Sequence, residues 1–284
     1  MAQIRQGFVA PFVTEREFVE LARLGEARGW DTIFTWEAVH RHDAWATLAA
    51  AAVVTDRIRL GTLLTPISRY RPWDLAARVG TVDRLSGGRA ILGAGLGAPN
   101  GNWTAFEPDD GRRLRRQRMD EVLDVYGGLM AGQPFAYAGR HFQVSPVTEI
   151  DPLPPLTTPH PPVWLVGALV PGREHQPSLE RAARWEGIFP AVIGAQGHSG
   201  LTVEALEEIV ATVRAHRTAT GRAWEGYEVC VEGDSYGGFG DIRGPAQPWV
   251  DAGATMWVES WWDLPDTPDG VAEVFARVEA GPRG

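Results

Sequence analysis

Glu37, His40, His42 and Asp43 cluster in a short stretch of this 284-residue chain. A carboxylate beside imidazoles can move protons, and the same residue types can hold a metal ion. Two histidines two apart on a loop fix no coordination geometry, so a metal-dependent hydrolase is the weaker of those readings. A second group is the small-residue run Gly93-Ala-Gly-Leu-Gly97. Glycines there leave room for a flat or phosphorylated molecule to approach the backbone. A third is the basic run Arg112-Arg-Leu-Arg-Arg-Gln-Arg118. It reads either as the solvated start of a helix or as a local site for an anionic cofactor group. Several of the twelve tryptophans lie at expected strand ends, where a flat ligand could stack, although core packing is the ordinary role of any one of them.

The elements that must position these residues alternate in type. Asp56-Arg-Ile-Arg-Leu-Gly-Thr62 and Arg89 to Gly95 are apolar, β-branched stretches ending at Gly or Thr, spaced as in one βαβ unit. The full order is strand (Gly7–Pro11), helix opened by the capping box Thr14-Glu-Arg-Glu17, strand (Asp31–Trp36), helix capped by Asp43, strand (Arg57–Leu64), and helix (Pro72–Leu85). Strand Arg89–Gly95, helix Arg112–Met130 and a hairpin excursion over Phe135–Val144 follow. The proline-rich Asp151–Pro162 is a loop. Strands then begin at Val163, Gly187, Tyr227 and Thr255, alternating with helices opened by Ser178, Thr202, Pro248 and Asp269. Eight strand–helix units without a composition break predict an α/β chain forming one (β/α)8 TIM barrel over residues 1–284. A doubly wound sheet would place its Gly-rich turn after the first strand rather than the fourth. In a barrel, ligands sit at the carboxyl ends of the strands.

Composition narrows the partners. At 44% hydrophobic and 22% charged residues the chain can bury a sizeable core, and a net charge of −9 argues against nucleic acid as a main partner. Cys230 is the single cysteine, so neither a disulfide within the chain nor a cysteine metal site is expected. No signal peptide and no membrane span are read, and a cytoplasmic protein is expected.

The succession Trp36-Glu37, Thr55-Asp-Arg-Ile-Arg-Leu-Gly-Thr62, Leu85-Ser-Gly-Gly-Arg89 and Leu92-Gly-Ala-Gly-Leu-Gly97 resembles the luciferase-like monooxygenase family. Phe135–Phe142, Ser178-Leu-Glu-Arg-Ala-Ala-Arg-Trp-Glu-Gly187 and Ala252-Gly-Ala-Thr255 extend the resemblance over nearly the whole chain. It implies a TIM-barrel oxidoreductase using reduced FMN or the deazaflavin coenzyme F-420. It further implies a ring-supporting bulge or cis peptide at Thr62-Leu63-Leu64, at the Leu63–Leu64 bond. The cofactor phosphate is expected at the start of the helix opened by Ser178, with Ser178 and Leu179 donating and Arg173 and Gln176 adding contacts from the preceding loop. Trp36, Gly95, Leu96, Gly97, Asn102 and Gly167 complete the implied cofactor contacts.

The chain departs from the family pattern in two places. Glu37 matches the acid of the family's acid–His pair, but Ala38 stands at the histidine position, leaving Glu37 with His40 (or His42) as the catalytic candidates. Ala98-Pro99 stands where deazaflavin relatives carry a glutamate. These departures matter less to a monooxygenase, because reduced FMN reacts with oxygen by its own chemistry. The expectation is therefore an FMN-dependent monooxygenase acting with O2 on a small organic substrate, with no metal. An F-420-dependent hydride-transfer enzyme and a non-catalytic flavin-binding or supporting subunit are the alternatives. Trp103, Trp164 and Trp262 are candidate pocket walls, Leu169–Pro177 and Asp234–Gly244 candidate covers, and a homodimer and a separate flavin reductase expected partners.

Overall fold

A computed structural model describes residues 4–97, 103–132, 135–146, 154–194, 197–237 and 245–283. Among them strands and helices alternate in the order expected of a (β/α)8 barrel, which is the fold class of the chain. The strands are β1 (Arg5–Val9), β2 (Thr32–Thr35), β3 (Arg59–Thr62), β4 (Ala90–Gly95), β5 (Val163–Leu169), β6 (Gly187–Gly194), β7 (Glu228–Gly233) and β8 (Met256–Ser260). The helices are α1 (Glu15–Arg28), α2 (Ala44–Ala52), α3 (Pro72–Ser86), α4 (Gly111–Met130), α5 (Pro177–Ala182), α6 (Val203–Ala219), α7 (Gln247–Asp251) and α8 (Pro268–Glu279). None of the described helices is long and apolar enough to cross a membrane. Contacts group the chain into two compact units, residues 1–34 with 163–284 and residues 35–162.

In the first unit, β5, β6, β7, β8, β1 and β2 pair in parallel in that order. Residues Gly197–Ser199 add an antiparallel edge to β6 that the sequence pattern did not reveal. Helix α1 starts as its capping box dictates: Thr14 accepts from Glu17 N, and Glu17 returns to Thr14 N at 2.7 Å. Phe18, Leu21, Ala22 and Gly25 form its buried stripe at helical spacing. The core holds the rings of Phe8, Trp30 and Trp261 and a second cluster of Phe34, Trp164 and Phe189. Trp164 is thus a core residue rather than a pocket wall.

In the second unit, β3 pairs in parallel with β4, Leu60 opposite Ala90. A two-residue strand, Thr65–Pro66, also pairs with β4, opposite Ala94 and Gly95. It was hidden in sequence because two residues show no periodicity. Helix α3 packs on α2 and α4. The proline-rich loop is pinned to α3 by the fully buried Asp83, which accepts from Leu156 N, Thr157 N and Thr157 Oγ1 at 2.7–3.0 Å. The expected hairpin is present, with Tyr137–Ala138 antiparallel to Gln143–Val144.

Candidate functional site

The second unit gathers the strand-end residues. Thr62 Oγ1 donates to Gly93 O at 2.9 Å and accepts from Thr65 Oγ1 at 3.1 Å, stitching the carboxyl ends of β3 and β4 together. Leu63 N donates to Thr35 O at 2.8 Å, tying in the end of β2. The Leu63–Leu64 peptide is cis, at the bond singled out in the sequence, and Leu63 is buried. After β4, Gly97 turns with φ +73°, and a Cβ there would strike the Trp103 ring and come within 2.7 Å of Pro66. Only glycine fits both the backbone angle and the close approach. Gly95 is buried in β4, Leu96 O accepts weakly from Ser68 Oγ at 3.5 Å, and Asn102 lies outside the described residues.

Glu37 follows β2 and is half-buried. Tyr70 Oη donates to its Oε1 at 2.6 Å, while Oε2 is buried with no hydrogen-bond partner. Burial raises the Glu37 pKa above the usual carboxylate value, and the Tyr70 bond, the Thr65 hydroxyl and the Arg69 charge offset it only in part. The Tyr70 hydroxyl is held far above its ordinary pKa, by burial first and by the Glu37 charge next. A carboxyl raised in this way and bonded to a phenol is suited to exchanging a proton with a bound molecule. Arg69 is bidentate to Glu107 (2.6 and 2.8 Å), and Trp103 Nε1 donates to the same carboxylate at 3.0 Å. The arginine holds Glu107 below the usual carboxylate range.

The other acid–base candidates separate. His40 is exposed and stacks on Phe106, its centroid 5.6 Å away. His42 Nε2 lies 3.0 Å from Thr35 Oγ1, and Asp43 caps α2 and pairs with Arg78 at 2.7 Å. Trp36 is half-buried, with the Arg41 guanidinium 5.7 Å from its ring. Tyr70, Arg69, Glu107 and Thr65 were missed in sequence. Their only signal was density of polar and aromatic residues in Ser68-Arg-Tyr-Arg71, with no motif spacing.

The first unit holds the residues expected around a phosphate. Helix α5 begins at Pro177 with Gln176 as its N-cap, so Ser178 is its second residue and not its cap. Proline takes the first position because its fixed φ suits a helix and its missing N–H is no loss there. The Ser178 hydroxyl is turned back to β5, accepting from Ala168 N at 3.1 Å and reaching Val166 O at 3.4 Å. The buried Gln176 amide is spent on its own loop: Oε1 accepts from Val170 N, and Nε2 donates to Val170 O and Arg173 O. What α5 offers an anion is therefore backbone N–H groups, not these side chains. Leu179 is buried, Arg173 is exposed, and a Cβ on Gly167 would strike Ile188. Trp262 is half-buried, edge-on to Phe12. Of the two candidate covers, Asp234–Gly244 is described only through Gly237.

The family model described as luciferase-like monooxygenase matches residues 5–233. Over 144 residues the chain is 29% identical to an F-420-dependent glucose-6-phosphate dehydrogenase of Microbacterium testaceum, a match covering 48% of this chain and 43% of that protein. The chain spans less than half the length of the curated relatives it matches. The F-420-dependent tetrahydromethanopterin reductase of Methanopyrus kandleri superposes with a TM-score of 0.74 over 99% of both chains, at 16% identity. The oxygenating constituent of 3,6-diketocamphane monooxygenase from Pseudomonas putida, solved with FMN, gives 0.65 at 17% identity over 81% of this chain and 67% of that one. At such identities the two structures speak for the fold alone.

Proposed function

The chain belongs to the luciferase-like monooxygenase family, and from that premise we propose a flavin-dependent monooxygenase that uses reduced FMN and O2 on a small organic substrate. The observation that carries the reading is Glu37: a carboxyl at a strand end, raised in pKa by burial, with one oxygen bonded to Tyr70 and the other unpartnered. The N–H edge of a reduced flavin ring is the kind of donor that Glu37 Oε2 lacks, so the residues present fit the group. Thr62, Leu63, Leu64, Gly95, Leu96 and Gly97 would hold the ring. Ser178 and Leu179 would offer backbone donors to a phosphate, and Trp36, Gly167, Arg173 and Gln176 are further contacts in the proposal.

When bound, the reduced cofactor supplies two electrons, to O2 with FMN or as a hydride with F-420. The chain's own part is proton handling and exclusion of water. Glu37, its pKa raised by burial, delivers or takes a proton at Oε2 while Tyr70 holds Oε1 in place. Buried Leu63 and Trp103 keep solvent away from this end of the unit. His40, exposed and stacked on Phe106, is the second acid–base candidate in the proposal. A homodimer and a separate flavin reductase belong to the same proposal.

The F-420 reading stands second, favoured by the identity to an F-420-dependent relative. Parallel titrations with FMN and F-420, each oxidised and reduced, separate the two. Saturable binding of reduced FMN followed by substrate-dependent oxygen uptake is expected, and a Glu37→Gln variant should lose ~10²-fold in turnover. Preference for F-420 without oxygen uptake would move the assignment to hydride transfer. If neither flavin binds, both readings fail.

A further inference from the structure

Beside Tyr70, within residues 35–162, lies a cavity of about 350 Å³ lined by Arg69, Trp103, Glu107, Arg115, His141 and Phe142 among others. Four arginines line it against two carboxylates, Glu107 and Asp110. The Arg69 and Arg115 guanidinium carbons both lie 5.3 Å from the Trp103 ring centroid. Arg69 is bidentate to Glu107, whereas Arg115 meets a carboxylate only as a looser ion pair with Asp109. Arg115 is 8% exposed, and its Nη1 makes one long bond to Gly97 O at 3.3 Å. Its Nε has no hydrogen-bond partner, the Asp109 carboxylate standing off at 3.5 Å. His141 Nε2 on the same wall is also buried and unpartnered.

The His141 wall is built, not incidental. Glu121 on α4 accepts from the backbone N–H groups of Arg140, His141 and Phe142 at 2.9, 2.9 and 3.0 Å, fixing the hairpin turn at the cavity. Buried polar groups without partners are rare, and a buried guanidinium with a spare donor asks for an acceptor of opposite charge. The volume suits a small molecule, and Phe142 and Trp103 give it an apolar wall.

We propose that this cavity binds the oxyanion of a small organic molecule, a carboxylate or phosphate ester, with Arg115 and His141 as its donors. Tyr70 lines the cavity and bonds Glu37, so the inference deepens the reading above by naming an anionic substrate class, and it rests on that reading.

The test uses full-length ¹⁵N-labelled protein titrated with benzoate, phenyl phosphate and inorganic phosphate, following the arginine Nε–H resonances. Arg115→Lys assigns the Arg115 signal and keeps the charge. His141→Leu, on the hairpin, is the second variant in case the first perturbs folding. At least one organic anion should saturate and shift the Arg115 signal. Each variant should weaken that anion ~10-fold, the loss of one charge-assisted bond, while the FMN midpoint stays unchanged. No saturable shift with any probe overturns the proposal, as does binding of inorganic phosphate alone or organic-anion binding indifferent to both variants. Organic-anion binding that behaves as expected in protein that fails to bind any flavin would support this site and sink the flavin reading.

Discussion

Arg89 and Arg115 lie in the same unit, each drawn well out of solvent, yet they are bonded in opposite ways. Arg89 Nε donates to Ser86 O at 2.6 Å, Nη1 to Thr55 Oγ1 and Ile58 O, and Nη2 to Ala52 O and Thr55 O. It ties the ends of α2 and α3 to the start of β3. Arg217 does the same in the other unit, capping Ala183 O, Trp185 O and Ala223 O. Arg115 has one long bond and a donor to spare. An arginine whose donors are taken mainly by backbone carbonyls is a staple of the fold. One left short of acceptors has donors to offer a further partner, the basis of the anion site proposed above. The carboxylates repeat the contrast. Burial pushes the Glu121 pKa up, but three backbone donors outweigh it and hold the group below its usual value, whereas at Glu37 the Tyr70 and Thr65 hydroxyls and the Arg69 charge do not offset burial.

The comparison can be broken most directly at Arg89. Arg89→Ala takes the hydrogen-bond donors away from several backbone carbonyls and should lower the unfolding free energy by about 4 kcal/mol in urea titration. Arg115→Ala should cost less than half of that, and equal losses would erase the distinction.

Glu232 on β7 sharpens the carboxylate side. Burial raises its pKa from 4.5 to about 7, beyond what hydrogen bonds from Trp262 and Ser260 recover. The native state therefore holds a proton that the unfolded chain releases, so stability falls as pH rises through that window. The loss is about 3 kcal/mol above pH 7, and Glu232→Gln should remove it and flatten the pH profile of unfolding. A profile unchanged by the substitution would show that Glu232 titrates like an exposed carboxylate.

Glu121→Ala should cost about 2 kcal/mol and speed amide exchange at Arg140, His141 and Phe142. Protection unchanged there would mean that the hairpin holds itself. The smallest effect is expected for Tyr70→Phe, about 1 kcal/mol of stability with a further rise in the Glu37 pKa, read by carboxyl ¹³C NMR. A fall in that pKa would show that Tyr70 does not stabilise the ionised form.

Much of the fold was legible because it is written in local chemistry. The Thr14–Glu17 box, the Asp43 cap, Pro72 at a helix start and Gly29 and Gly87 at helix ends each act within a few residues. The apolar runs marked where each strand lies, with an end that matches at Gly95 and ends displaced by one to four residues elsewhere, and the Leu63–Leu64 bond was singled out through the family pattern. Local chemistry misled at Ser178, where a serine that looks like a cap sits one residue inside a helix begun by proline. It was silent for Tyr70 and Glu107, whose partners Glu37 and Arg69 lie 33 and 38 residues away.

The sequence by itself determined the order of the main elements and the family, because periodicity, caps and glycine turns are properties of neighbours in the chain. Tertiary structure alone decided which charges are satisfied. The motif Leu85-Ser-Gly-Gly-Arg89 carries an arginine consumed by five hydrogen bonds, four of them to residues more than thirty positions away. The basic run at α4 read in sequence either as a solvated helix start or as a local anion site; folding buries Arg115 and leaves Arg116 exposed. A charge's meaning depends on the acceptors that packing brings to it, and those come from distant parts of the chain.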